Sequence, residues 1–145
     1  NQFYNHPLGM NLYNLNNSAE NIRKMEKAIV FESEKSCLLY RSYFGAENDI
    51  SVACCGSNIS AYQIQMLTDA GAKEIIVAFD RQFQQLGDKE HKHQIANFNK
   101  LYKRYKNYVN ISFINDRNMI TKYKASPIDE GPEKFLQLFK ERVVL

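Results

Sequence analysis

Apolar residues come in short bursts along this chain, each closed by a polar residue or a glycine and each followed by a stretch with helical spacing. Residues 27–32, KAIVFE, run from an apolar strand pattern into an acid, and residues 35–44, KSCLLYRSYF, set Cys37, Leu38, Tyr40 and Phe44 at helical intervals. ISVACCG at 50–56 stops at Gly56, after which Ser60 is placed to cap a helix over 61–70 that Gly71 ends. KEIIVAF at 73–79 and YVNISFI at 108–114 are rich in β-branched and aromatic residues and read as a third and a fourth strand. A helix over residues 89–107 lies between them, with Ile95, Phe98, Leu101, Tyr102 and Tyr105 on one arc and Lys89, Lys92, Lys100, Lys103 and Lys106 largely on the other. A last helix follows Pro132, with Phe135, Leu138 and Phe139 on one side. Short buried strands separated by helices pair in parallel through right-handed crossovers, so the expected fold is α/β.

The front of the chain departs from this alternation. NLYNLNNSAENIRKM is rich in asparagine, and Ser18, with Asn21 and Ile22 behind it, is placed to open a short helix outside the sheet. Residues 1–26 read as a connector from an upstream segment, and residues 27–145 as the domain itself. Composition adds bounds: 145 residues, 44% hydrophobic and 24% charged, suit one core, and a net charge of +3 permits nucleic acid without demanding it. Three cysteines, Cys37 and the adjacent Cys54 and Cys55, give neither a disulfide framework nor zinc spacing, which points to a reducing cytoplasm. No apolar run is long enough to span a membrane, and the first ten residues lack the pattern of an export signal.

In open parallel sheets ligands sit beyond the carboxyl ends of the strands. There the first strand delivers Glu32, the third Asp80, and the second Gly56 followed by Ser57 and Asn58. Two carboxylates meeting at that edge repel and raise each other's pKa unless a divalent cation holds both. Glu32 and Asp80 equally fit simpler roles as polar strand ends or helix caps. Lys35 and Arg81 flank these acids, where they suit either phosphate contacts or salt bridges to the same acids. Ser57 and Asn58 fit backbone donation to a ligand or a plain capping turn. His91 and His93, two apart on a helix, point to different faces and read as surface residues. Cys54 and Cys55 read as core residues of a buried strand.

IVFESEK resembles the first motif of the TOPRIM domain, a strand that delivers a glutamate followed by a small residue. CCGSNISAYQIQML is similar to that domain's next segment, a strand ending in glycine before a polar turn and a helix. IIVAFDRQF resembles the strand that carries its D-x-D motif, and order and spacing agree from residue 27 to about residue 120. NLYNL ahead of the first strand and YKASPIDEGPEKFLQLF near the end resemble bacterial and phage primases of the DnaG type.

The resemblance implies a TOPRIM fold, a Rossmann-like parallel four-stranded sheet flanked by helices, and a primase-like helical segment at the end. It implies that Glu32 acts at a metal site as general acid or base and that Asp80, the first aspartate of D-x-D, is a magnesium (or manganese) ligand. Gln82 stands at the second aspartate, where an amide can accept through its carbonyl oxygen but brings no charge. Asp129, in SPIDEG, matches a late acidic position of primases and is the candidate to supply the missing ligand. Ser33 replaces the usual glycine after the glutamate, and Ser36 stands where many primases place another aspartate. The activity implied is DNA primase: metal-dependent joining of ribonucleoside triphosphates into RNA primers on a single-stranded DNA template, with a replicative helicase as a further partner and no membrane. The alternatives are a fragment of a TOPRIM nuclease or topoisomerase, and a non-catalytic TOPRIM module that binds nucleic acid, which Gln82 favours.

Overall fold

A computed structural model describes residues 8–145. Its main elements are helix α1 (Leu15–Met25), strand β1 (Lys27–Phe31), α2 (Glu34–Phe44), β2 (Ser51–Ala53), α3 (Ala61–Asp69), β3 (Glu74–Ala78), α4 (Lys89–Tyr105), β4 (Asn110–Phe113) and α5 (Pro132–Lys140). The strands are one to four residues shorter than the apolar runs that announce them. The reason is plainest at β2, where the paired register with β1 ends at Ala53 although Cys54 stays buried and its N–H still donates to the Phe31 carbonyl at 3.0 Å.

All pairings are parallel and the order is β2-β1-β3-β4, so β1 and β3 are neighbours. In register, Val77 lies opposite Phe113 and Phe31 opposite Ala78. Residues opposite one another share a face and successive residues alternate. Phe113 stacks on Phe98 of α4 with ring centroids 4.6 Å apart. Phe31 packs against Tyr40 of α2 and Phe135 of α5 at 6.1 and 5.9 Å. Helix α4 therefore covers one face, and α2 and α5 the other. Helix α3 joins the α4 side, as the right-handed crossover from β2 over β1 to β3 requires. The strand residues Ala28 to Phe31 and Ile75 to Ala78 are essentially without solvent contact, the state of a sheet covered on both faces.

Capping explains the helix ends. Ser60 and Gln63 form a reciprocal capping box at the start of α3. Gly71 follows α3 with φ +108°, and a Cβ there would meet the Arg23 backbone at 3.1 Å, so both conformation and space call for glycine. The start of α1 corrects the sequence reading. The helix begins at Leu15, and Ser18 is a buried interior residue whose hydroxyl donates to the Asn14 carbonyl at 3.1 Å. Asn14 has a left-handed φ of 73° and makes no side-chain cap; its amide donates instead to Asp49 Oδ2 at 2.8 Å and the Ser51 carbonyl at 2.9 Å.

Of the expected connector, residues 1–7 lie outside the described residues. The remainder packs into the domain: Leu12 and Ile22 are buried in the common core. Tyr13 exchanges two backbone hydrogen bonds with Ala53, at 3.0 and 3.1 Å, closing the outer edge of β2. Val143 does the same for Phe113 at the other edge, at 2.8 and 2.9 Å. Single antiparallel bridges thus cover both edges that would otherwise offer unpaired backbone. Among the described residues no helix is long and apolar enough to cross a membrane.

Candidate functional site

The parallel pairing of β1 with β3 carries both chains off the same edge of the sheet, and the residues just beyond their ends meet. The backbone N–H of Asp80 donates to Glu32 Oε2 at 2.9 Å. Both side chains are half-buried. Burial first, and then the Asp80 carboxylate, push the Glu32 carboxyl up to about 7 against the opposing pull of the Asp80 N–H and Lys124. Burial first, and then Asp129, push Asp80 up to about 6, with Lys35 and Lys124 pulling the other way. Asp80 Oδ1 is buried and has no hydrogen-bond partner among the described residues. An acceptor-only oxygen left bare beside a second carboxylate is a donor set that suits a cation.

The rest of the constellation is held by protein contacts. Lys35 Nζ lies 3.2 Å from both oxygens of Asp129, and the Ser126 N–H donates to Asp129 Oδ2 at 3.0 Å. Lys35 is thus paired with Asp129 and not with Glu32 or Asp80, the acids it flanks in sequence. Gln82 Oε1 accepts from Lys124 Nζ at 3.3 Å, and its amide nitrogen is directed at the Asp80 carbonyl at 3.4 Å. Arg81 lies over the Phe83 ring with its guanidinium carbon 5.5 Å from the centroid. Among the described residues, no three His, Cys, Asp or Glu side chains are gathered closely enough to form a metal cluster by themselves. Glu32 and Asp80 are the pair that fits a metal ion; Gln82 is engaged with Lys124 and Asp129 is ion-paired with Lys35, although Asp129 Oδ1, like Asp80 Oδ1, is buried without a hydrogen-bond partner among the described residues.

Three residues of this site escape the sequence reading. Gln94 of α4 is buried; its side-chain nitrogen donates to the Asp80 carbonyl at 2.9 Å and its oxygen accepts from the Gln82 N–H at 3.4 Å. It braces the Asp80–Gln82 backbone. Ser126 is buried and bonds Ser36 at 2.8 Å, so the position that carries an aspartate in many primases here ties α2 to the 126–129 turn. Lys124, with a left-handed φ of 67°, exchanges backbone contacts with Arg81: its N–H donates to the Arg81 carbonyl at 2.9 Å, and the Arg81 N–H donates to the Ala125 carbonyl at 3.0 Å. Gln94 had a legible signal, since it falls on the buried arc with Phe98, Leu101 and Tyr105. Lys124 and Ser126 had none.

Ser57 and Asn58 are exposed and line a separate depression of about 370 Å³ with Asn97, Lys100, Leu101 and Arg104 of α4. The lysines of α4 are solvent-exposed and none forms an ion pair with a described carboxylate. His91 corrects the expectation of a surface residue: it is half-buried against Phe83, centroids 4.6 Å apart, and accepts the Gly87 N–H at 3.0 Å. His93 is exposed. Cys37 and Cys54 are buried, and burial above all pushes both thiols up to about 12, which makes them core residues and not nucleophiles.

The fold is that of the catalytic cores of DnaG primases, built on a TOPRIM sheet. A DnaG primase catalytic domain bound to single-stranded DNA superposes with a TM-score of 0.68 at 17% identity, covering 96% of this chain and 42% of that one. The zinc-binding and RNA polymerase domains of the Aquifex aeolicus primase give 0.65 at 20% identity, covering 97% of this chain and 32% of theirs. In sequence, the chain is 29% identical over 150 residues to YorJ, an uncharacterized SPbeta prophage-derived protein of Bacillus subtilis strain 168. That match covers 99% of this chain and 39% of YorJ, so the chain spans about two fifths of the relative's length. No family model matches the chain.

Proposed function

We propose that this chain is the metal-binding part of a primase catalytic core, within a protein that joins ribonucleoside triphosphates on single-stranded DNA. The observation that carries the reading is the bare Asp80 Oδ1 beside Glu32 at adjacent parallel strand ends, on a fold shared with primase cores. Glu32 and Asp80 would hold magnesium or manganese, which supplies positive charge where a triphosphate is attacked. Without metal, burial and Asp80 push the Glu32 carboxyl up to about 7; with the ion bound it would be held ionised, the form that could accept a proton from the reacting hydroxyl. Gln94 fixes the backbone that presents Asp80, and Lys35 and Arg81 flank the approach.

Single-stranded DNA is the template in this reading, and its phosphates have a surface to meet in the unpaired cations of α4 with Ser57 and Asn58 beside them. Each phosphate contact should cost roughly 0.7 log unit of affinity per log unit of salt, so Lys100→Glu with Arg104→Glu should flatten the salt dependence of binding. The relative's prophage origin supports placing the protein in a phage; replication, with a helicase as a further partner, is what the primase reading implies.

The test is template-directed ribonucleotide incorporation by the full-length protein with magnesium or manganese. Asp80→Asn should reduce it by at least about a hundredfold, the scale expected when a group stabilising transition-state charge is removed. Incorporation unchanged in that variant would refute the assignment. The engagement of Gln82 and Asp129 by lysines favours a second reading, a nucleic-acid-binding module without catalysis. DNA binding with no incorporation under any metal would select it.

A further inference from the structure

We propose that Lys124 is a built-in cation of the acidic site: its ammonium stands in for a second metal ion, with Gln82 as the amide that holds it, and Glu32 and Asp80 take one divalent cation. The inference rests on the reading that these two acids bind metal.

The orientation of Gln82 is the first support. Its carbonyl oxygen faces an ammonium and its amide nitrogen faces a backbone carbonyl, so both ends meet partners of the right sign. Turning the amide over would set N–H groups against Lys124 and a carbonyl oxygen against the Asp80 carbonyl. A carboxylate at position 82 would bind the same ammonium but could not donate to Asp80. The amide is thus fitted to a site in which Lys124 is a permanent member.

The anchoring of Lys124 is the second. Its backbone is tied to Arg81 by the two hydrogen bonds that join residues 124–125 to the segment carrying Asp80 and Gln82. The ammonium thus rises from a strap on the site itself. Its charge reaches both acids, opposing the upward push on each. Lys35 holds Asp129 in the same manner. Three carboxylates stand against two ammonium groups, a balance that one divalent ion brings close to neutral and that a second would drive strongly positive.

Manganese binding to the purified chain, followed by the electron paramagnetic resonance signal of the free ion, tests this without reference to activity. Thermal melts confirm that each variant is folded. The wild type should bind one ion. Lys124→Gln should bind it roughly three- to tenfold more tightly, the scale expected for removing a partly screened like charge, while Lys124→Arg should match the wild type. Gln82→Asp alone should still bind one ion, because Lys124 pairs with the new carboxylate; Gln82→Asp with Lys124→Gln should bind two. Two ions in the wild type, or equal affinity in Lys124→Gln and the wild type, would overturn the proposal while leaving the metal reading intact. No binding in any variant would overturn both.

Discussion

Glu74 opens β3 and Asp80 follows its last residue by two positions, so one strand holds a carboxylate at either end of the sheet, in surroundings of opposite sense. At Glu74, Arg142 Nε and Nη2 donate to the two oxygens at 2.8 and 3.2 Å, and the Ser112 hydroxyl adds a third bond at 2.6 Å. Burial works against its ionisation, but the hydrogen bonds from Arg142 and Ser112, with the Arg142 charge and Lys27, outweigh burial and hold the carboxyl below its ordinary value. At Asp80 burial prevails. One oxygen has no hydrogen-bond partner, the nearby lysines pull only in part, and the carboxyl is held above its ordinary value. A carboxylate that serves the fold is saturated with donors; one that is left short stores an unmet demand that a ligand can satisfy.

Removing the partner at the saturated end should have the largest effect. Arg142→Ala strands Glu74 partly buried and also removes the guanidinium that lies 4.2 Å from the Phe139 ring centroid and the N–H donated to the Phe139 carbonyl. A loss of about 2–3 kcal/mol in urea denaturation is expected, below the range for fully buried pairs because both side chains retain some solvent contact. A loss under about 0.5 kcal/mol would show that the cluster is surface decoration, and the contrast with Asp80 would fall.

The brace at the other end ranks next. Gln94→Leu keeps the buried volume on α4 but leaves the Gln82 N–H without its partner and the Asp80 carbonyl with only the 3.4 Å contact from the Gln82 amide, which should cost about 1–2 kcal/mol. Metal affinity should fall with it, because the backbone presenting Asp80 loosens. Loss of stability with unchanged manganese affinity would make Gln94 a core residue only.

These two residues also show where a sequence can be read and where it cannot. The sheet was legible because each apolar run is followed by its own helix, so local periodicity already implies parallel strands; the adjacency that joins Glu32 to Asp80 was implied by the TOPRIM resemblance and not by the periodicity. Gln94 was half-legible, a polar residue on an apolar arc. Arg142 and Lys124 were not, because their partners lie 68 and 42 residues away and nothing local distinguishes them from solvated cations. The start of α1 misled for a related reason. Ser18 has the chemistry of a cap, but the helix is begun by Asn14, which spends its amide on Asp49 and Ser51 across a gap of more than thirty residues. Ser57 and Asn58 were read as neighbours of the acids because they follow a strand end; the crossover to α3 carries their turn to the α4 side instead.

Removing the unsatisfied charge should have a smaller effect, of opposite sign. Asp80→Asn in the metal-free chain should leave stability unchanged or raise it by less than about 1 kcal/mol at pH 7.5, since the ionised group it replaces is disfavoured by burial but still partly screened by solvent. A loss comparable to that of Arg142→Ala would mean that Asp80 is a structural acid after all.

The smallest effect is in the pH dependence, and its sign separates the two ends of β3. The carboxyls of Glu32 and Asp80 titrate near 7 and 6 in the folded chain, above the values near 4 that they take once unfolded. Between those limits the folded state binds more protons than the unfolded state, so stability falls as pH rises. Their contribution is fully present below the unfolded values and is lost as pH climbs through 6 and 7. Glu74 has the reverse sign: its depressed value contributes stability above the unfolded pKa, lost only as pH falls through the lower folded value. In the metal-free chain the melting temperature should therefore drop by a few degrees between pH 5 and pH 7.5, a change of about 1 kcal/mol or less after solvent screening. Glu32→Gln combined with Asp80→Asn should flatten that slope, whereas Arg142→Ala should not flatten it, since loss of the guanidinium leaves burial to push the Glu74 carboxyl up. Saturating manganese should also flatten it by holding both acids ionised, and binding should release protons at pH 6.5. A slope that survives in the double variant would have to arise elsewhere in the chain, and the contrast between the saturated and the unsatisfied carboxylate would then lose its electrostatic basis.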